Sequence, residues 1–535
     1  MYIARIPNRS SPPATLLRES YRDSGKVKTR TLANLSSWPF ERIEALRRAL
    51  KGEFDGQGGE GPFCDRIFGV LFVLKQIAQR LGLIQALKAG PFATLALFLV
   101  LARVAHQGSR LSAVRWAKDH AVEEVLGLSA FDENDLYDAL DWLAENQDSI
   151  EQQLYRSYLS EVGKPPVLVL YDVTSSYLEG ECNELAEYGY NRDGKKGKKQ
   201  IVIGLLTADD GEPLAVRVFK GNTGDPTTVA AQITTLKESF GIEEVVFVGD
   251  RGMVKKTGKE AISGATFRYI TALTDPQIRK LMRTNVIQSD LFDIAIQELE
   301  WDTKRLVLQC NEATRNKERH RRESKLERLQ ELITQRNVFV RQSKRADPEA
   351  GLRTLRSWAK RHKISTFVTL ILEGRELKLT IDETLKAEDA LLDGCYVLET
   401  DVARQMMDAE TVDARYRDLQ KVERDFRNMK TAMLEVRPIF LRNGNRTRAH
   451  VFVAMLALKI LRVISAALKQ AFGTTDVDPD TITVHDALGS LSRLCFHRYI
   501  CGDVQVLHLP QLDERQKSIF AALGIRPPSI KPIHI

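Results

Sequence analysis

The sequence has few of the residues that mark secreted, fibrous or disordered proteins. Only 6 of its 535 residues are cysteine and none forms a C-x-x-C pair, which favours a reducing compartment over a disulfide framework. Prolines number 18 and aromatic residues make up 7%, which excludes a fibrous or proline-rich chain. Hydrophobic residues make up 43%, which is enough to form buried cores, so a wholly disordered chain is excluded too.

Long uncharged apolar segments are also missing. The most apolar run, residues 92–102, is shorter than the ~20 residues that span a bilayer, and Lys459 and Arg462 interrupt residues 451–468. Residues 1–29 carry charges throughout and lack the apolar core of a signal peptide. We therefore expect a cytoplasmic protein without a membrane partner.

The charge balance is mildly basic, with 78 Lys and Arg against 71 Asp and Glu and a net charge of +7. Such a balance tolerates a polyanionic partner without proving one. Two local clusters are more informative: residues 191–199, with four lysines, and residues 315–328, with seven Lys or Arg on a predicted helix. Either cluster alone is more often a solvated surface.

Changes in periodicity and composition divide the chain into six segments. Residues 1–61 are a basic segment that ends in a Gly-rich linker at 52–62, and residues 62–160 have the three-and-four spacing of helices. The four remaining segments are an α/β region at 161–275, a β-rich insertion with a long basic helix at 276–400, two helices at 401–470, and short helical and loop pieces at 471–535.

Two apolar runs within the α/β region each end in aspartate. Residues 167–172 end at Asp172 and residues 244–250 end at Asp250, as buried strands would, and the predicted order is strand, strand, strand, helix, strand. A carboxylate at the end of a buried strand is costly without a partner, and two at one sheet edge repel each other. A divalent ion resolves both problems, and oxygen ligands suit Mg²⁺ or Mn²⁺. The alternative is that each is a turn residue.

A third acid is predicted on a helix from about 401 to 434. Tyr416 and Lys430 each stand seven residues from Glu423, two helical turns away, so one continuous helix would present all three on one face. A carboxylate between a phenol and an ammonium suits a metal ligand with phosphate contacts on either side. A solvated charged helix is the alternative.

Together these residues resemble the DDE transposases of bacterial insertion sequences. The motifs are Tyr171-Asp172-Val-Thr-Ser-Ser-Tyr for the first acid, Gly221-Asn-Thr-Gly-Asp225 before the core helix, and Gly249-Asp250-Arg-Gly-Met for the second acid. On the acidic helix, Tyr416, Glu423 and Lys430 fit the spacing of a Y–R–E–K signature, although Leu419 stands where the signature has arginine. The resemblance covers roughly residues 165–470.

The resemblance implies an α/β RNase H-like catalytic core, interrupted by the β-rich insertion and preceded by a helical, DNA-binding region. It implies that Asp172, Asp250 and Glu423 hold two Mg²⁺ or Mn²⁺ ions for phosphodiester chemistry on double-stranded DNA, at transposon ends and at the target. It further implies a homodimer in the DNA complex and a nucleoid-associated bacterial protein. The expected DNA contacts are Tyr416, Lys430, Arg427, Arg251, Lys198, Lys199, Arg319, Arg321 and Arg322. In the helical region, Arg103, Arg110, Arg115 and Lys118 are candidates to read the terminal sequence.

Two other functions stay open from the residues alone. One is a metal-dependent nuclease with the same core but no strand transfer. The other is an inactive DNA-binding protein derived from a transposase, for which loss of an acid would be the expected sequence mark.

Overall fold

The computed structural model describes residues 1–8, 12–23, 26–51, 64–180, 182–251, 253–254, 256–292, 296–430, 433–473, 481–501, 504–509 and 511–528. The predicted linker at 52–62 lies outside them. The chain divides into two compact units: unit 1 is Met1–Gly163, Ser176–Ala186 and Arg427–Ile535, and unit 2 is Lys164–Ser175 and Glu187–Phe426.

The strands are β1 Tyr2–Ile6, β2 Ala14–Asp23, β3 Lys26–Asn34, β4 Cys64–Ile67, β5 Leu168–Tyr177, β6 Gln200–Ala208, β7 Pro213–Lys220, β8 Val246–Gly249, β9 Arg268–Ala272, β10 Ile296–Trp301, β11 Lys304–Cys310, β12 Val368–Glu373, β13 Glu376–Ile381, β14 Cys395–Thr400, β15 Cys495–Cys501 and β16 Val504–His508.

The helices are α1 Phe40–Lys51, α2 Gly69–Arg80, α3 Leu83–Leu87, α4 Pro91–Ala105, α5 Arg110–Lys118, α6 Val122–Leu126, α7 Glu133–Val162, α8 Asp225–Thr234, α9 Lys256–Gly264, α10 Asp275–Arg283, α11 Glu312–Gln342, α12 Pro348–Arg361, α13 Glu383–Ala390, α14 Ala409–Arg417, α15 Leu419–Lys430, α16 Gly444–Phe472, α17 Val484–Leu491 and α18 Glu514–Ala522. A π-helical turn, Thr235–Ser239, continues α8, and a 3-10 turn spans Ser289–Phe292.

Unit 1 combines a small N-terminal sheet with a helical body. Strands β1, β2 and β3 form an antiparallel meander, and Leu17 and Leu35 pack against Ile43 and Leu46 of α1. In the body, α4, α7 and α16 pack against one another. Helix α16 is long and apolar enough to cross a membrane by length and composition alone, but its apolar residues are mostly buried inside the protein, as in the core helix of a globular unit.

Pairing between distant segments corrects two predictions for unit 1. The region from 62 to 160 begins with strand β4 before its helices, and the tail beyond 471 contains the β15–β16 hairpin rather than only helices and loops. Strand β15 pairs antiparallel with β4, with Cys495 opposite Ile67. Strand β4 is only four residues long and finds its partner more than 400 residues away, so local patterning could not predict either strand.

Unit 2 is built on an eight-stranded mixed sheet in the order β10-β11-β14-β9-β8-β5-β6-β7. Strands β5, β8 and β9 run parallel, whereas β6 and β7 form a hairpin and β14, β11 and β10 continue the sheet antiparallel from β9. The predicted order of strand, strand, strand, helix, strand is confirmed by β5, β6, β7, α8 and β8. The long apolar strands form because both faces are covered, as the burial of every residue of β6 shows.

Strand β5 is longer than predicted. Asp172 is its fifth residue rather than its end, because Thr174, Ser175 and Ser176 continue the strand as buried residues. Asp250, by contrast, directly follows β8 as predicted. Tyr171 pairs with Gly249 in the parallel register, so Asp172 and Asp250 occupy the next positions on neighbouring strands. The side chain of Tyr171 is fully buried over Gly204 of β6, where an added Cβ would lie 2.2 Å from its hydroxyl oxygen.

Part of the segment predicted as an insertion, residues 276–400, belongs to the eight-stranded sheet. Its strands β10, β11 and β14 belong to the eight-stranded sheet. Between β11 and β14, helices α11 and α12 and the β12–β13 hairpin enclose a separate hydrophobic cluster that includes Leu329, Ile333, Leu355 and Phe367. The part with its own core is therefore narrower than the predicted range.

The acidic helix predicted from about 401 to 434 is two helices. Helix α14 ends at Arg417 and α15 begins at Leu419, with Asp418 between them. Tyr416 therefore precedes this break and Glu423 follows it. The argument from a single continuous helix face is wrong for Tyr416.

Candidate active site

A cleft of about 750 Å³ in unit 2 contains all three predicted acids. Asp172 of β5, Asp250 after β8 and Glu423 of α15 line it. Further lining residues come from α11 and from the segment before β14, so residues far apart in the sequence meet around one space. The sheet supplies the two aspartates because parallel strands bring equivalent positions to the same edge.

Asp172 is held in an environment that disfavours its charge. Its side chain is only partly exposed, and Oδ1 accepts a hydrogen bond of 2.7 Å from the backbone N–H of Val173. Burial raises the pKa of Asp172 to about 7, and the negative charges of Asp250 and Glu423 act in the same direction. The hydrogen bond from Val173 and the positive charge of Arg192 oppose the rise.

Asp250 is exposed and is fixed by two donors. Its Oδ1 accepts from the backbone N–H of Arg251 at 2.6 Å and from the hydroxyl of Tyr416 at 3.0 Å. The pKa of Tyr416 is raised by burial and by the charge of Asp250, which keeps its proton on the oxygen as a donor. In this structure Tyr416, which the sequence assigned to DNA phosphate, contacts the second acid.

The donor chemistry at the three acids fits a divalent cation. All three offer carboxylate oxygens, the ligands that Mg²⁺ and Mn²⁺ prefer, and Asp172 experiences the mutual repulsion that a cation would relieve. Within the described ranges, no three His, Cys, Asp or Glu side chains lie close enough to enclose an ion. The cleft therefore places the three carboxylates around one space without bringing all three to a single point.

The predicted basic residues of α11 differ in their surroundings. Arg321 is exposed and lines the cleft. Arg322 also lines it, but its guanidinium binds Asp393 through both Nη atoms and binds Asp389 from Nε at 3.2 Å, so its charge is neutralised within the protein. Arg319 is outside the cleft lining, and its side chain is 72% exposed and 3.8 Å from Glu323.

The other predicted DNA contacts lie at several places. Arg251 lines the cleft and pairs with Asp275 at 3.1 Å. Lys198 is exposed, and Lys199 is half-buried with its Nζ 5.8 Å from the ring centroid of Tyr188. Arg427 is exposed and Lys430 half-buried near the end of α15, beyond the residues that line the cleft.

Leu419, at the position where the sequence resemblance led us to expect arginine, is 7% exposed at the start of α15 and therefore packs as a core residue.

An ion pair beside the first acid was missed by the sequence reasoning. Arg192 donates from Nη2 to both carboxylate oxygens of Asp225, at 2.7 and 2.8 Å, and its backbone N–H donates to Ser175 Oγ at 2.8 Å. Asp225 is the first residue of α8. Asp225 is the last residue of the Gly221–Asp225 motif. The motif could therefore be recognised in the sequence, but the pairing of Asp225 with Arg192 could not.

Two arginines of the helical region that we expected to contact DNA make contacts inside unit 1 instead. Arg103 is only 8% exposed, and burial lowers its pKa to about 9. Arg110 donates from Nη2 to Nδ1 of His450 at 2.8 Å. His450 is itself buried, and burial and the nearby arginine charges hold its pKa well below the usual value. Of the four candidates, only Arg115 and Lys118 are exposed.

Comparison with known proteins identifies two regions of the chain. The family model for the N-terminal domain of IS1634 family transposases matches residues 3–61, and the model for the transposase DDE domain matches residues 163–460. No curated protein matches. Among matching solved structures is a piggyBac transposase synaptic complex with hairpin DNA, 8% identical, with a TM-score of 0.37 over 79% of this chain and 76% of that chain.

The match to the DDE domain spans more than half of the chain. It includes the cleft residues Asp172, Asp250 and Glu423. The protein is therefore an enzyme that belongs to the DDE transposases of insertion sequences.

Proposed function

We propose that this transposase cuts DNA at the terminal inverted repeats of its element and transfers the 3′ ends to target DNA, using Asp172, Asp250 and Glu423 to hold two divalent metal ions. One observation carries the proposal most: Asp172 and Asp250 each directly follow one residue of the parallel pair Tyr171 and Gly249, and Glu423 lines the same cleft. The proposed RNase H-like core is the sheet from β7 to β9 with its helices, and the proposed insertion is the separate cluster between β11 and β14.

Bound Mg²⁺ or Mn²⁺ would supply activation of a water or 3′-hydroxyl and stabilisation of the leaving oxygen. The protein residues bind and orient. The ions would stabilise the charge of Asp172, which burial disfavours. Tyr416 fixes the Oδ1 atom of Asp250 through its hydroxyl. Arg321 adds positive charge to the cleft lining, where a phosphate backbone would pass, and Arg251, paired with Asp275, also lines it.

An insertion element has two ends, and one copy of the protein supplies one such cleft. We therefore propose that a homodimer assembles on the two ends. The protein would act in the bacterial cytoplasm, associated with the nucleoid. The exposed Arg319, Arg321 and Lys198 would add salt-dependent affinity for DNA phosphates.

The test uses duplexes that carry the inverted repeats flanking the coding region. We expect Asp172→Asn, Asp250→Asn and Glu423→Gln to abolish cleavage while binding these duplexes nearly as wild type. Asp302→Asn is the matched control, because Asp302 is an exposed turn residue with a φ of 58° that asparagine also tolerates. Cleavage at the wild-type level by any of the three variants would remove that residue from the site.

The same reactions separate the alternative functions. A transposase gives products in which the 3′ ends are joined to a target plasmid, whereas a nuclease gives only cut duplexes. Binding without cutting at any Mg²⁺ or Mn²⁺ concentration would indicate an inactive descendant.

We further propose that Arg427 takes the role of the arginine missing at 419. Residue 427 is four residues after Glu423, roughly 40° around the helix from it, whereas Arg424 is roughly 100° away. Arginine offers the bidentate fork for phosphate that Lys430 lacks. We expect Arg427→Ala to lower cleavage substantially and Arg424→Ala to lower it much less. Equal activity of Arg427→Ala and wild type, on both intact and pre-cut ends, would contradict this compensation.

A further inference from the structure

The tyrosine loop, residues 187–199 between β5 and β6, presents two aromatic rings to solvent. Tyr188 is 65% exposed and Tyr190 is 81% exposed, the largest value for an aromatic side chain in the part of the chain that the structure describes. Neither ring contributes to a core, so their exposure stabilises nothing within unit 2. Exposed aromatic side chains in a basic segment are typical of surfaces that bind unpaired nucleotides.

The backbone beneath the rings is rigidly held. Glu187 and Gln200 form a two-hydrogen-bond antiparallel bridge, with both bonds 3.0 Å long. The buried side chain of Gln200 donates to the carbonyl oxygens of Tyr190 at 3.0 Å and Gly221 at 2.9 Å. Gly189, between the tyrosines, packs so closely on Gly221 that an added Cβ would lie 2.1 Å from the Gly221 oxygen. These contacts hold in place the backbone that carries the two rings.

Positive charge accompanies each ring. The guanidinium carbon of Arg192 lies 5.5 Å from the ring centroid of Tyr190, and Nζ of Lys199 lies 5.8 Å from that of Tyr188. Gly194 and Gly197, with φ of 69° and 73°, turn the chain so that the lysines follow within a few residues. Lys195, Lys196 and Lys198 are exposed there. Stacking surfaces beside cations match the alternating bases and phosphates of a single strand.

The loop is also joined by a hydrogen bond to strand β5, which carries Asp172. Arg192, which stacks beside Tyr190, is joined to Ser175 three residues after the first acid. Its positive charge acts on Asp172. An unpaired nucleotide on the loop would therefore belong to the same DNA end that enters the cleft.

We propose that Tyr188 and Tyr190 stack unpaired DNA bases next to the cleaved phosphate, with the loop lysines binding the phosphates between them. This proposal rests on the proposed function, because it requires DNA in the cleft, and it adds the recognition of unpaired bases. Stacking is independent of base identity, so the loop selects distorted or frayed ends rather than a sequence.

The test compares binding of oligothymidylate, a blunt duplex and a duplex with an unpaired thymidine overhang, by fluorescence anisotropy at one salt concentration. We expect Tyr188→Ala/Tyr190→Ala to weaken binding of oligothymidylate and the overhang roughly tenfold or more, while the blunt duplex changes little. Tyr188→Phe/Tyr190→Phe, which keeps both rings, should bind as wild type. Trp301→Ala, an exposed aromatic residue on β10, is the control for loss of surface area and should change nothing.

Photocrosslinking locates the contact. 5-Iodouracil in the overhang should crosslink to Tyr188 or Tyr190 in the full-length wild type, as mapped by mass spectrometry. If wild type binds and cuts DNA but the alanine double variant keeps its affinity for unpaired strands, the loop proposal is wrong and the proposed function stands. If wild type neither binds nor cuts duplexes that carry the inverted repeats, the proposed function fails as well.

Discussion

Asp172 should be costly to the stability of the fold, and this cost can be measured separately from catalysis. The pKa of this carboxyl is raised from 3.8 to about 7, mainly by burial. Unfolding lets the carboxyl ionise freely, so the stability of the wild type falls as pH rises from the unfolded pKa toward the folded one. Asp172→Asn has no charge to bury and should not show this fall.

The size of the effect follows from the two pKa values. The stability lost is proportional to the width of the pH range in which the unfolded carboxyl is ionised but the folded one is not. This width is about 1.2 pH units at pH 5 (5 − 3.8) and about 3.2 pH units at pH 8 (7 − 3.8). The difference of about 2 units equals ~2.7 kcal/mol at most. Because Asp172 is partly exposed, solvent screening reduces this, and we expect about half, ~1.3 kcal/mol. For a folding unit as large as unit 2, ~1.3 kcal/mol corresponds to a difference in Tm of about 3–5 °C.

The assay is thermal unfolding of wild type and Asp172→Asn at pH 5 and pH 8, followed by circular dichroism. The advantage of the variant should grow by about 3–5 °C between the two pH values. With Mg²⁺ at pH 8, wild type should gain stability and the variant should gain less, since a ligand has been lost. Asp302→Asn should follow wild type throughout. An advantage of Asp172→Asn that is equal at both pH values would refute the claim that burial of this charge is what destabilises the protein.

Four further perturbations test the surroundings of the site. Tyr416→Phe removes the hydrogen bond to the second acid, so cleavage should fall about tenfold and the Mg²⁺ concentration for half-maximal cleavage should rise, both measured by metal titration. Arg322→Ala breaks a mostly buried ion pair and should cost about 3 kcal/mol in urea unfolding. Arg321→Ala should leave stability unchanged and reduce the salt slope of DNA binding by about 0.9. Gly204→Ala places a methyl group 2.2 Å from a buried tyrosine oxygen and should cost about 1–3 kcal/mol, whereas Gly264→Ala, with open space around it, should not; thermal unfolding compares them.

The sequence by itself determined the two strands β5 and β8 of the eight-stranded sheet and the identity of the candidate acids. Strands β5 and β8 fall on the apolar runs predicted at 167–172 and 244–250, because such runs are stable only when both faces of the strand are covered. Parallel pairing then brings Asp172 and Asp250 together, since equivalent positions of parallel strands share one edge.

Only the tertiary structure decided which polar side chains meet one another. Tyr416 and Asp250 are 166 residues apart, and the break at Asp418 sets the direction of the phenol, which helical spacing alone could not give. Arg321 and Arg322 are neighbouring residues of the same type, and the sequence gives no reason to distinguish them. In the structure Asp393 neutralises the charge of Arg322, whereas Arg321 is exposed in the cleft. Hydrophobic periodicity is a local property that selects helices and strands, whereas ion pairs and hydrogen bonds depend on which segments the fold brings within about 3 Å.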